Sequence, residues 1–136
     1  DAKKRGAKIA AGGSRRGNQG FFFAPTVITD IPEDARMMKE EPFGPVAPIT
    51  PFKSFDEVVE RANSLPFGLA AYAFTGSNKT ATLIADALES GMVGVNTFAI
   101  STPETPFGGI KESGHGHEGG IEGLEAYTNK KFVAQG

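Results

Sequence analysis

Phe55, Val58, Val59, Ala62 and Leu65 recur at three- and four-residue intervals, which places them on one face of a helix. The preceding Ser54-Phe55-Asp56-Glu57 has the form of a capping box, in which a hydroxyl and a carboxylate satisfy the free amides of the first turn, and Pro66-Phe67-Gly68 ends the segment. Leu69 to Thr75 is then a mostly apolar strand. Ser77 or Asn78 caps a second helix whose Leu83, Ile84, Ala87 and Leu88 face inward, Gly91 terminates it, and Met92 to Val95 reads as a buried strand. A strand, helix, strand, helix, strand order predicts an α/β fold, with a largely parallel sheet covered by flanking helices.

The flanks are less regular. Asp1 to Arg5 is polar and stops at Gly6, as the last turn of a helix does, and Ala7 to Ala11 forms a short strand, so the chain enters partway through a βα repeat. Phe21 to Thr29 is an aromatic and β-branched run that Pro25 breaks or confines to an edge. Pro32 opens a short helix through Glu40, and Val46 to Phe52 is a strand interrupted by Pro48 and Pro51. The Gly- and Pro-rich stretch from Thr97 to Gly120 is long for a connection, and loops of that length are usually functional or mobile. A short helix, Ile121 to Ala126, and a strand, Thr128 to Val133, complete the pattern.

Composition narrows the classes. Of 136 residues, 39% are hydrophobic and 22% charged, which is globular rather than disordered. A chain of this length can bury a single core. Fourteen basic against sixteen acidic residues give a net charge of −2, so there is no broad positive field for nucleic acid or an anionic membrane. No apolar run approaches the roughly 20 residues that span a bilayer, and there is neither a signal-peptide core nor an initiator Met. These features predict a cytoplasmic chain that begins within a longer protein. The absence of cysteine excludes disulfides and thiolate metal sites within it.

The candidate chemistry sits in two motifs. Glu40-Glu41-Pro42-Phe43-Gly44-Pro45 places two carboxylates at the C-terminal end of the predicted helix, where its dipole disfavours them, before a rigid turn that presents an aromatic ring. Some sixty residues later comes Pro106-Phe107-Gly108-Gly109-Ile110-Lys111-Glu112-Ser113-Gly114. Together they resemble the C-terminal part of the aldehyde dehydrogenase superfamily, over essentially the whole chain. The resemblance implies that Glu41 accepts hydrogen bonds from the ribose beside the nicotinamide of NAD or NADP, and that Phe43 lines the nicotinamide site. A carboxylate is the natural acceptor for two vicinal hydroxyls, and a ring excludes water beside them. It also implies that Phe98, Ser101 and Phe107 form part of the substrate wall. Ile100-Ser101 follows the pattern of members acting on succinate semialdehyde, in which the hydroxyl helps hold the distal carboxylate, whereas relatives that take simple alkyl or aryl aldehydes commonly have an aromatic there.

The family's catalytic cysteine thiolate and its assisting glutamate fall outside these 136 residues, so the resemblance implies no catalytic residue here and an inactive isolated fragment. The intact enzyme would pass through a thiohemiacetal and a thioester to the carboxylate. On the same basis residues 1–126 are part of the catalytic domain, and 127–136 form a segment that lies against a partner subunit in a dimer or tetramer. The alternatives are a dehydrogenase for another semialdehyde or an aliphatic aldehyde, and a non-catalytic assembly module.

Two further patterns carry little. Gly114, Gly116 and Gly119 fit Gly-x-Gly-x-x-Gly, but a dinucleotide fingerprint follows a strand and opens a helix, whereas this one trails a long loop. His115 and His117 are two ligands on a glycine-rich loop and make no complete metal site.

Overall fold

The structure is a computed structural model that describes all 136 residues. The chain divides into two compact units, Asp1–Lys53 and Ser54–Gly136.

The first unit is a three-stranded sheet ordered β1-β2-β3, with β1 at Lys8–Ala11, β2 at Thr26–Thr29 and β3 at Val46–Pro48. β1 pairs antiparallel with β2, with a register shift between Ile9 and Ala11, and β2 pairs parallel with β3. Only the end of the aromatic run becomes strand, because Pro25 has no amide to give to the ladder; Phe23 makes a single bridge to Arg15 instead. Thr26 is buried, and its hydroxyl is used in both directions: it accepts from the Gly13 amide at 2.8 Å and donates to the Ala24 carbonyl at 2.7 Å. The core of this unit is small and made of Ala2, Ala7, Ile31 and Ala35, with Ile28, Met37 and Met38 packed against it.

The expected helix from Glu33 to Glu40 shrinks to one 3-10 turn at Arg36–Met38. Ala35 keeps an extended backbone there and provides no capping side chain. The Asp1 carboxylate accepts from the Arg36 amide at 2.9 Å in the place of a local cap.

The second unit contains α1 (Phe55–Asn63), β4 (Phe67–Gly68), β5 (Ala70–Ala73), α2 (Asn78–Ala87), β6 (Met92–Val95), β7 (Ile110–Lys111) and a 3-10 segment at Glu122–Tyr127. Both helices start where the sequence predicts. The Ser54 hydroxyl accepts from the Glu57 amide at 3.1 Å and the Ser77 hydroxyl from the Thr80 amide at 3.2 Å. β5, α2 and β6 form a parallel β-α-β crossover, the unit that defines an α/β class. Ile84 of α2 and Met92 of β6 are its buried apolar residues, whereas Leu83, assigned to the inner face, stands outward.

The α/β class holds, and the single sheet expected from the sequence is divided into three: β1-β2-β3, β5-β6 and a short antiparallel pair β4-β7. The predicted strand from Leu69 to Thr75 is shorter, Ala70–Ala73, and Phe67 and Gly68, read as the end of the preceding helix, form a strand of their own that pairs with Lys111 and Ile110. Gly91 does not act as a helix terminator. α2 closes at Leu88, and Gly91 leads into β6 at a point where the Gly108 carbonyl oxygen occupies the space that a Cβ would need. The expected strand from Thr128 to Val133 joins no ladder, and residues 128–136 are all exposed. A strand exists only as one side of a pair, and no strand of this chain pairs with it.

Candidate functional site

The two glutamates of the first motif have different surroundings. Glu40 faces Arg36 one turn back and receives two parallel hydrogen bonds from its guanidinium, at 2.9 and 2.6 Å. These hydrogen bonds hold the Glu40 carboxyl below the usual carboxylate range and raise Arg36 above its own. A dipole argument for the pair loses its force, since the element before them is one 3-10 turn; Arg36 supplies the balancing charge for Glu40. Glu41 makes no hydrogen bond or ion pair within the chain. It is exposed at the lip of a concavity of about 390 Å3, lined also by Asp1, Ile28, Arg36, Met37, Glu40 and Val46.

Pro42 and Pro45 bracket Phe43 and restrict the backbone on either side of it. The ring is 93% exposed and touches no other aromatic. An anionic acceptor with free lone pairs and an unpacked ring two residues away suit a ligand that carries a diol next to a flat ring. The ribosyl-nicotinamide end of NAD or NADP has that form.

In the second unit Phe98 packs against two rings on and just beyond β5. Its centroid is 5.4 Å from that of Tyr72 and 5.0 Å from that of Phe74, both in tilted geometry. Tyr72 and Phe74 lie two residues apart, and so face the same side of an extended chain. Ser101 is exposed three residues later. The turns around it are held by other hydroxyls: Thr97 accepts from the Ala99 amide at 3.0 Å, and Thr105 donates to the Thr102 carbonyl at 3.2 Å. Ser101 takes no part in that local bonding.

Phe107 is half-buried and forms a two-way backbone bridge with Glu118, 2.7 Å in each direction. It lines a separate concavity of about 310 Å3 with Leu69, Gly108, Ser113, His115, His117 and Tyr127, in which neither Phe98 nor Ser101 takes part. The structure thus joins Phe98 to Tyr72 and Phe74, a grouping that sequence reasoning missed, and gives Phe107 a different neighbourhood. The alternation of Tyr72 and Phe74 along the chain was the available signal. Gly114, Gly116 and Gly119 all adopt positive φ in a run of turns that leads to the 3-10 segment, so no strand-to-helix turn is formed there. His115 and His117 are exposed, and no group of three metal-ligating side chains comes together. No helix is long and apolar enough to cross a membrane.

The aldehyde dehydrogenase family profile matches residues 1–133, and the chain belongs to that family. It is 46% identical over all 136 residues to a probable succinate-semialdehyde dehydrogenase, NADP(+), of Sinorhizobium fredii, of which it covers 28%. Over 132 residues, 97% of the chain, it is 48% identical to aldehyde dehydrogenase, cytosolic 1, of Rattus norvegicus, and covers 26% of that protein. Among solved structures, the NAD+ complex of an aldehyde dehydrogenase from Bacillus cereus superposes with a TM-score of 0.90 at 45% identity, covering 94% of this chain and 26% of the other. The chain therefore spans between a quarter and three tenths of the length of these relatives.

Proposed function

We propose that the chain is a working part of an NAD(P)-dependent aldehyde dehydrogenase that oxidises an aldehyde, in particular succinate semialdehyde, to the carboxylate. The observation that carries this reading is the division of labour at the first motif, where Arg36 neutralises Glu40 and leaves Glu41 open at the edge of a concavity. Glu41 accepts the nicotinamide ribose hydroxyls and fixes the cofactor's position. Phe43 shields the ring face from water. Phe98, Ser101 and Phe107 contribute to the substrate wall, with the Ser101 hydroxyl donating to the distal carboxylate of the substrate. That hydroxyl is not engaged by the loop itself, which supports the assignment. Residues 1–126 belong to the catalytic domain and 127–136 to a self-association segment of a cytoplasmic dimer or tetramer.

The test is the specificity constant, kcat/KM, of the dehydrogenase for succinate semialdehyde and for butanal, with Ser101 intact and with Ser101→Ala. One hydrogen bond to a charged group contributes on the order of 1.5–3 kcal/mol. The preference for the semialdehyde is therefore expected to fall by about ten-fold or more on substitution. Equal use of both aldehydes by the unsubstituted enzyme would remove the substrate assignment and favour a relative that acts on aliphatic aldehydes.

A further inference from the structure

Asn96 is the first residue after β6, and its φ of 56° lies in the left-handed region, which few residues other than glycine and asparagine enter without strain. Its backbone amide completes the parallel ladder by donating to the Ala73 carbonyl at 2.8 Å. Its side chain then imitates one more strand residue. Oδ1 accepts from the Thr75 amide at 2.8 Å, and Nδ2 donates to the Thr75 carbonyl at 2.9 Å. Both backbone groups of one residue beyond β5 are thereby satisfied by one carboxamide, and Thr75 is fixed where its hydroxyl accepts the Ser77 amide at 3.1 Å. No other side-chain type carries a carboxamide's paired donor and acceptor at this reach, apart from the longer glutamine.

The left-handed turn sends the chain back over its own strand. A Cβ on Gly94 would lie 2.5 Å from the Thr97 carbonyl oxygen and 2.9 Å from both an Ile100 methyl and the Tyr72 ring, so the returning loop fills the space that Gly94 leaves open. The Thr97 hydroxyl and the Phe98 carbonyl, which accepts from the Ile100 amide at 3.1 Å, tighten the next two turns. The fold-back ends with Phe98 against Tyr72 and Phe74.

We propose that Asn96 is a positioning residue for the substrate wall: it sets the direction in which the loop leaves β6, and through that turn the place of Phe98 and Ser101. The proposal rests on the reading of Phe98 and Ser101 as substrate-facing, but its structural half can be tested without turnover.

Three variants separate the contributions. Asn96→Gly keeps the left-handed backbone and deletes both side-chain hydrogen bonds, Asn96→Ala deletes the bonds and strains the backbone, and Asn96→Asp keeps the acceptor for Thr75 while removing the donor. In the 136-residue chain, NMR cross-peaks between the Phe98 ring and the Tyr72 and Phe74 rings are expected in the parent, weaker in Asn96→Asp and absent in Asn96→Gly. The amides paired across β5 and β6 are expected to keep their protection from exchange. In the dehydrogenase, KM for the aldehyde is expected to rise by about five- to thirty-fold in Asn96→Gly, from the removal of one to two hydrogen bonds, with the KM for the nicotinamide cofactor moving less than about two-fold. Cross-peaks between the rings that persist in Asn96→Gly would overturn the positioning role. Their disappearance with no change in the aldehyde KM would overturn the link to substrate. An enzyme with no dehydrogenase activity in any form would instead sink the functional reading and leave the ring-packing result to stand by itself. If Asn96→Gly does not fold, the graded weakening in Asn96→Asp decides the question.

Discussion

At Glu40 and Glu41, adjacent residues of the same type have been given opposite electrostatic surroundings. Arg36 reaches Glu40 from four residues back, the spacing at which side chains on one turn meet, and nothing in the chain reaches Glu41. Replacing Glu40 by Gln is therefore expected to disturb only an exposed ion pair, which contributes little to stability. Replacing Glu41 by Gln is expected to lower kcat/KM with respect to the nicotinamide cofactor by about ten- to a hundred-fold, the loss of one strong charge-assisted hydrogen bond. Steady-state kinetics at varied cofactor concentration check the contrast between the two positions. Equal, small effects at both would remove Glu41 from the cofactor site.

Among the elements, the helices were the legible part. Ser54 and Ser77 are each followed by apolar residues at helical spacing, and both cap the helices they announce. Replacing either by Ala is expected to cost about 1 kcal/mol, read as a lower denaturation midpoint with an unchanged slope. The short strands were harder to read. Phe67 and Gly68 belong with Ile110 and Lys111, a partnership across more than forty residues that no local pattern signals. Lys111, a member of the second motif, adds contacts of its own there, donating to the Asn63 carbonyl at 3.1 Å and pairing with Glu89 at 2.5 Å, which the motif does not announce. The helix expected after Pro32 failed for a related reason: Asp1 caps Arg36 from 35 positions away, and the element amounts to a single turn. The candidate site divides in the same way. Glu41 and Phe43 are candidates that one contiguous motif offers, whereas the Tyr72, Phe74 and Phe98 cluster needs two strands and a turn to bring it together.

At the scale of the whole chain, exposed apolar surface is the dominant fact. No large side chain is fully buried, and many large apolar residues are exposed. Phe21, Phe43, Phe132 and Val133 are among the residues that stand in solvent. Apolar surface on this scale favours association with further protein. We therefore expect the chain to self-associate in sedimentation at high concentration, and removal of residues 128–136, which carry Phe132 and Val133 on an unpaired segment, to weaken that association. A strictly monomeric species at every concentration would argue against the C-terminal segment as an assembly element.

The approach of Gly108 to Gly91 has a consequence for the genetics of the protein. A side chain at position 91 would collide with the carbonyl oxygen of residue 108, an atom that every amino acid carries. Most core clashes can be relieved by trimming the neighbour, but this one offers no smaller neighbour to choose. A defect caused by Gly91→Ala should have no intragenic suppressor at position 108; reversion at 91 itself, or a change that moves the backbone there, is the route left open.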